Sequence, residues 1–315
     1  MITAYDFESG RLVEAEMEDA PILFCCEPDQ QEKLFIQKQF NLGWHSLNSI
    51  LDENELPRVE NRNDKIIIIC KHPLHIGVVD SHIEFRVTSL GAVIFEDRLI
   101  FIFNEEMSEE EFLKMYSAVY NIRDLLINVL HRTTLHFHEH LRAISLGMEQ
   151  LEDRIASDKN TLTNMFTLGK SMTFYVNALN GNHALIERIY NIAGRLGFDS
   201  QQQEILDDIR LDSAQCCQEA QVTLSLITRM TDARISIMGN DLNILMKRLT
   251  VFSLMVMPMN IIAGIGGMSE YTLLVDQLSG QEGGVPIWIS FGFLFVFFAL
   301  LGGMTYFVLK RFGLV

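Results

Sequence analysis

Asn243–Ser269 reads "NILMKRLTVFSLMVMPMNIIAGIGGMS", and the fold turns on what this stretch is for. From Leu249 to Met268 it holds twenty residues without a charge. A helix of about 20 residues crosses a bilayer core of about 30 Å. A second run, "VPIWISFGFLFVFFALLGGMTYFVL", gives twenty-five more over Val285–Leu309. It is apolar on every face, unlike the one-sided helix of a soluble domain. Lys247 and Arg248 precede the first run, and Lys310 and Arg311 follow the second. The loop between them carries Glu270, Asp276 and Glu282 but no Lys or Arg. Basic flanks stay on the cytoplasmic side. The pattern therefore predicts a first transmembrane helix over 249–268, an acidic extracytoplasmic loop over 269–284, and a second transmembrane helix over 285–309. A cytosolic tail, 310–315, ends the chain, and both termini lie inside.

Upstream, residues 1–248 make a large cytosolic part. The whole chain of 315 residues carries 41 Asp and Glu against 25 Lys and Arg. That balance speaks against a nucleic-acid partner, which calls for a basic face, and suits a protein that attracts cations. The opening "MITAYDFESG" has neither the basic start nor the apolar core of a cleaved signal peptide. Five cysteines, with adjacent pairs at Cys25–Cys26 and Cys216–Cys217, follow no disulfide framework. Reduced thiols in a cytosolic compartment are expected.

Residues 1–105 read as an α/β domain. "KIIIIC" (65–70), "HIEFRVTSL" (82–90) and "AVIFEDRLIFIF" (92–103) are β-branched or aromatic runs bounded by turn residues, hence strands. "PDQQEKLFIQKQFNL" (28–42) opens with Pro and Asp and continues at helical spacing. Residues 106–248 read as a helical domain and stalk. Ser108 and Glu111 form a capping-box pattern. Helices are predicted over 108–157 and 162–196, with a break near "GRLGFDS". A third starts near Gln202 and, if unbroken to Gly264, reaches about 95 Å. A helix of that length needs support from copies of itself or from its own hairpin.

Stepping along this last helix by alternating fours and threes gives Asp232, Ser236, Gly239, Asn243, Met246, Thr250, Ser253, Met257, Asn260, Gly264 and Gly267. The stripe is small or polar, yet it enters an uncharged membrane run. Lipid penalises Asn260, so this face is expected to meet protein or water. One reading is a small-residue packing seam. The other is a water-filled path, which accounts for Asp232, Asn243 and Asn260 on one line. One helix cannot enclose a path, so several copies would surround it symmetrically. Rings of oxygen would then pass a largely hydrated divalent ion.

These residues resemble the pore segment of the CorA-type magnesium transporters, whose first span ends in a Gly-Met-Asn signature. "EPDQQEKLFIQKQFNLGWHSLNSILDENELPRVENRNDKIIIICKH" (27–72) is similar to that family's N-terminal domain. The likeness covers essentially the whole chain. It implies a homopentameric funnel in the inner (plasma) membrane, with a pore lined by the first span. The positions that match the pore are Asn243, Met246, Leu249, Met257, Asn260 and Gly264, with Asp232 on its cytosolic extension. Gly267, Met268 and Ser269, followed by Glu270, stand where the outer filter is expected. Ser269 replaces the signature Asn and offers one hydroxyl in place of an amide carbonyl. Gating by cations between cytosolic subunits is also implied, which makes Asp207 or Asp208 a candidate regulatory ligand beside the alternative of a solvated acidic face.

"LHFHEHL" (135–141) puts His136 and His140 four apart on one helix face, with His138 pointing away. Such a pair suits a transition metal, or else is structural. His-Glu-His-Leu lacks the spacing of a metalloprotease helix, and no phosphate loop or nucleophile elbow is present. His72 and His75 are read as turn residues. No enzyme and no resident cofactor is expected. The reading is a conductor of divalent cations, Mg²⁺ first and Zn²⁺, Co²⁺ or Ni²⁺ as alternatives. A non-conducting metal sensor or regulator on the same scaffold is the reading from another class. Its partners are copies of itself, the bilayer and the cation.

Overall fold

The computed structural model describes residues 2–18, 20–62, 65–74, 77–79, 82–95, 97–103, 119–154, 161–266, 273, 276–277 and 287–311. The chain divides into two compact units, Met1–Asp232 and Ala233–Val315.

The first unit opens with β1 (Ile2–Glu8), β2 (Arg11–Glu14) and β3 (Ile22–Cys26). Helices α1 (Gln30–Phe40) and α2 (Trp44–Leu51) follow. Then come β4 (Arg58–Arg62), β5 (Lys65–Pro73), β6 (Gly77–Val79), β7 (His82–Glu84), β8 (Val87–Ile94) and β9 (Leu99–Phe103). Seven strands form one sheet in the order β2-β1-β3-β9-β8-β5-β4, and β6 and β7 form a separate hairpin. Within the sheet, among the described residues, only β3 and β9 pair in parallel.

Both faces of the sheet are covered, and successive side chains take opposite faces. On β3, Ile22 and Phe24 join one core while Leu23 and Cys25 join the other. On β9, Leu99, Phe101 and Phe103 alternate in the same way with Ile100 and Ile102. The second core holds Ile36, Leu47 and Ile50 of α1 and α2. The first holds residues of three long helices, α3 (Ile122–Arg154), α4 (Thr161–Asn191) and α6 (Ser200–Gly266), with short α5 (Ala193–Leu196) between the last two. Farther along, α3, α4 and α6 pack on one another through Phe137, Leu141, Met172, Tyr175, Cys216 and Ala220. All five cysteines are free.

Local chemistry sets the ends of these elements. Asp29 accepts the Glu32 N–H at 2.7 Å while Glu32 accepts the Asp29 N–H at 3.0 Å, a complete capping box for α1. Asp199 and Gln202 repeat it for α6, at 2.7 and 3.0 Å. Four sequence expectations need correction. The strand expected over 92–103 is two strands, because Phe95 and Arg98 close a turn at 2.8 Å. The strand over 82–90 is broken at Phe85 and Arg86. The helix expected from 108 does not run unbroken to 157, since residues 119–121 are non-helical. There Asn121 Oδ1 accepts the N–H groups of Arg123 and Asp124, each at 2.9 Å, and starts α3. Ser108 and Glu111 lie outside the described residues, and the helix expected over 162–196 breaks at Ile192.

In the second unit α6 continues to Gly266, running through Pro258, and α7 spans Ile287–Arg311.

Candidate functional site

Among the described residues one helix is long and apolar enough to cross a membrane, within Ser200–Asn260 of α6. None of its apolar stretch is buried. At about 100° per residue, Ser236, Gly239, Asn243, Met246, Thr250, Ser253, Met257, Asn260 and Gly264 fall within an arc of about 120°. Every one of them is exposed in the single chain. Val251, Met255, Val256 and Pro258, the half-buried residues of this stretch, all fall outside the arc.

The packing side of the helix is marked by a contact. The Met259 Cε stands 3.3 Å from where a Cβ on Gly302 of α7 would be. Any larger residue at 302 would press on Met259. Between Val251 and Asn260 the half-buried residues of α6 thus lie off the stripe, while from Ile235 to Thr250 the helix is exposed on every face. Leu249 lies just off the arc and is 64% exposed. Asp232 ends the first unit on α6 and is exposed. The four outer-filter residues, Gly267, Met268, Ser269 and Glu270, lie outside the described residues.

The arc is mixed, since Leu242, Leu254 and Ile261 fall within it among the polar and small residues. Lys247, Arg248 and Asp241 fall outside it at this helical spacing, so between Ser236 and Gly264 it carries no formal charge. It offers amides from Asn243 and Asn260, hydroxyls from Ser236, Thr250 and Ser253, and thioethers from Met246 and Met257. The Thr250 hydroxyl donates to the Met246 carbonyl at 2.8 Å. Its proton is spent, so toward the open side it can only accept, which is what a cation or its water shell needs.

The other candidates stand on the first unit. Asp207 Oδ1 accepts from Arg210 Nε at 2.9 Å and Nη2 at 2.7 Å. Asp207 in turn raises the Arg210 pKa, and the guanidinium lies 5.2 Å over the Tyr190 ring. Asp208 is exposed beside it.

His136 and His140 do share a face of α3, with ring centres 4.5 Å apart and edge to face. His140 is buried, and its Nδ1 lies 2.7 Å from the Tyr175 hydroxyl. Burial pushes the Tyr175 phenol up, so it keeps its proton. His72 was read as a turn residue, but it lies in β5, and its ring is 5.2 Å from that of His136. The turn reading fails because the strand runs on to Pro73. His72 Nδ1 is 3.3 Å from Thr133 Oγ1. Thr88, opposite His72 across the strand pair, has a buried hydroxyl without a hydrogen-bond partner among the described residues. His138 turns elsewhere, to Glu219 at 3.0 Å, and His75 lies outside the described residues. Among the described residues no three His, Cys, Asp or Glu side chains are arranged to hold a metal ion.

The family model described as "CorA-like Mg2+ transporter protein" matches residues 23–311. The cobalt/magnesium transport protein CorA of Methanocaldococcus jannaschii is 27% identical over 288 residues, 86% of this chain and 87% of its own length. The complete structure of the CorA magnesium transporter from the same organism superposes with a TM-score of 0.74 at 20% identity, covering 100% of this chain and 99% of that one. The ZntB cytoplasmic domain from Vibrio parahaemolyticus gives 0.59 at 12% identity, covering 76% and 98%.

Proposed function

The chain belongs to the CorA-like Mg2+ transporter family, and on that premise we propose that it conducts divalent cations along the uncovered face of α6. The observation that carries this reading is the exposed arc from Ser236 to Gly264, which is rich in oxygen and sulfur, free of charge, and turned away from the Met259–Gly302 contact. In this reading α6 and α7 are the two membrane spans, and both termini are cytoplasmic. Several copies, five by family resemblance, stand around one axis with their arcs inward. Gly267, Met268, Ser269 and Glu270 form the outer mouth. The membrane potential drives entry, worth about 2.3 kcal/mol per charge per 100 mV.

Mg²⁺ keeps several waters when it binds, which suits rings of amides and hydroxyls. Ser269 in place of the signature Asn favours a second reading, transport of Zn²⁺ or another transition metal, on the same scaffold. Of the two candidate regulatory carboxylates, Asp208 is the more available, since Asp207 is occupied by Arg210.

Flux of Mg²⁺, Zn²⁺, Co²⁺ and Ni²⁺ into proteoliposomes tests both readings. Saturable flux that Asn260→Leu reduces at least about tenfold is the expected result, since it removes one ring of polar groups from an uncharged path. Flux unchanged by Asn260→Leu removes the arc as the path. No flux of any ion leaves the family scaffold as a sensor.

A further inference from the structure

The side of α7 turned away from α6 offers a surface that conduction does not use. Leu301, Gly302 and Thr305 are half-buried, and Gly302 faces Met259 of α6. At about 100° per residue, Leu300, Met304, Phe307 and Arg311 lie within about 40° of the line opposite Gly302. The three apolar side chains of this set leave 68, 67 and 66% of their surface exposed. Steps of four, three and four residues join the set into one stripe about 16 Å long.

The stripe ends in positive charge. Lys310 stands next to Arg311, both are exposed, and neither makes an ion pair among the described residues. From Gly283 to Val315 the sequence holds no Asp or Glu, although the chain as a whole has a net charge of −16. Arg248 of α6 is a third exposed cation without an ion pair among the described residues. The Met259–Gly302 contact sets its level against α7. With the two helices running in opposite directions, as the proposed function requires, Arg248 lies about 16 Å from that contact and Lys310 about 12 Å, toward the same side. The cations therefore form one band at the end of an apolar wall. A molecule with an apolar tail and an anionic head matches both parts. A guanidinium meets phosphate oxygens in pairs, and basic surfaces at the cytoplasmic ends of spans hold anionic head groups.

We propose that this side of α7 binds an anionic phospholipid of the cytoplasmic leaflet, with an acyl chain along Leu300, Met304 and Phe307 and the phosphate on Lys310 and Arg311. The inference rests on the reading of α7 as a span and is independent of ion flux along α6. The full-length protein in detergent is titrated with phosphatidylglycerol or phosphatidylcholine of the same acyl chains, and bound lipid is counted by native mass spectrometry. Phosphatidylglycerol should bind at least about tenfold more tightly, since each cation near a head group contributes roughly fivefold. The double variant Lys310→Gln, Arg311→Gln should reduce it to the affinity of phosphatidylcholine. Arg142→Gln removes an exposed cation from the first unit and should leave the preference unchanged. Inorganic phosphate at millimolar concentration should not displace the lipid, because it has no chain to lay on the stripe. Equal affinity for the two lipids, or a preference that survives the double variant, overturns the proposal while leaving α7 as a span. Equal loss in Arg142→Gln reduces the effect to net charge, and displacement by inorganic phosphate assigns the cations to the free ion; either overturns it. Retention of neither lipid overturns the span reading as well.

Discussion

Lys71 sits buried in β5, and its ammonium is held by two uncharged acceptors, the Glu53 carbonyl and the Ser89 hydroxyl. Loss of water is the largest influence on it and lowers its pKa from the ordinary 10.5, with Asp52 foremost among the carboxylates opposing the shift. Between the lowered folded value and 10.5, the unfolded chain holds more protons than the folded one. Stability supplied by this residue therefore rises with pH through that window. Lys71→Met has no such dependence. The stability difference between wild type and Lys71→Met should move in favour of the wild type as denaturant unfolding is repeated at increasing alkaline pH. A difference that stays flat would mean that the amine is as well solvated as in the unfolded chain. Sequence could not disclose this residue, because "KIIIICKH" gives no sign that its Lys faces inward. His72 was misread for a related reason. A His next to a Pro looks like a turn, and only the register opposite Thr88 keeps it in the strand. By contrast His136 and His140 were legible as a pair, since four residues on a helix bring two rings together whatever surrounds them.

At the scale of elements, Gly91 of β8 is where α2 comes closest to the sheet. A Cβ there would stand 2.3 Å from Ile50 Cγ2. Gly91→Ala should destabilise the protein by about 1–3 kcal/mol through overpacking, and Ile50→Ala in the same chain should return part of that loss. Thermal unfolding of the single and double variants checks it, and simple additivity would deny the contact. Which elements could be read beforehand follows from their surroundings. β5 and β9 announced themselves as apolar runs because both of their faces are buried. β1 and β2 did not. β2 is an edge strand with mostly exposed residues, and the pair turns on Ser9 and Gly10, both at positive φ, a hairpin signal carried by two small residues. The start of α3 was hidden because one asparagine, Asn121, starts the helix inside a run whose sequence pattern is helical on both sides. That Asp232 to Gly264 share one unbroken helix was legible, since 3.6-residue spacing depends on no tertiary contact. The sequence could not say which side of that helix meets Gly302.

For the whole molecule, conduction along α6 requires that the arcs of several copies share one path, and this separates it from a path within one chain. Ser253→Cys places a thiol on the arc, and Val256→Cys places one outside it. A charged methanethiosulfonate reagent should stop flux through the first and leave the second. The native thiols interfere little. Burial pushes Cys25, Cys70 and Cys216 up to about 12 and Cys217 up to about 11, so few are thiolates at neutral pH. Cys26, which is half-buried, is replaced by Ser throughout. Copies of Ser253→Cys mixed with wild-type chains before reconstitution then count the subunits. If one modified ring member blocks the path, the surviving flux falls as the wild-type fraction raised to the number of copies. An equal mixture leaves about one half for a path within a single chain and about 3% for five copies around one axis. A curve that falls in direct proportion to the modified fraction would confine the path to single chains and leave the exposed arc of α6 without a role in conduction.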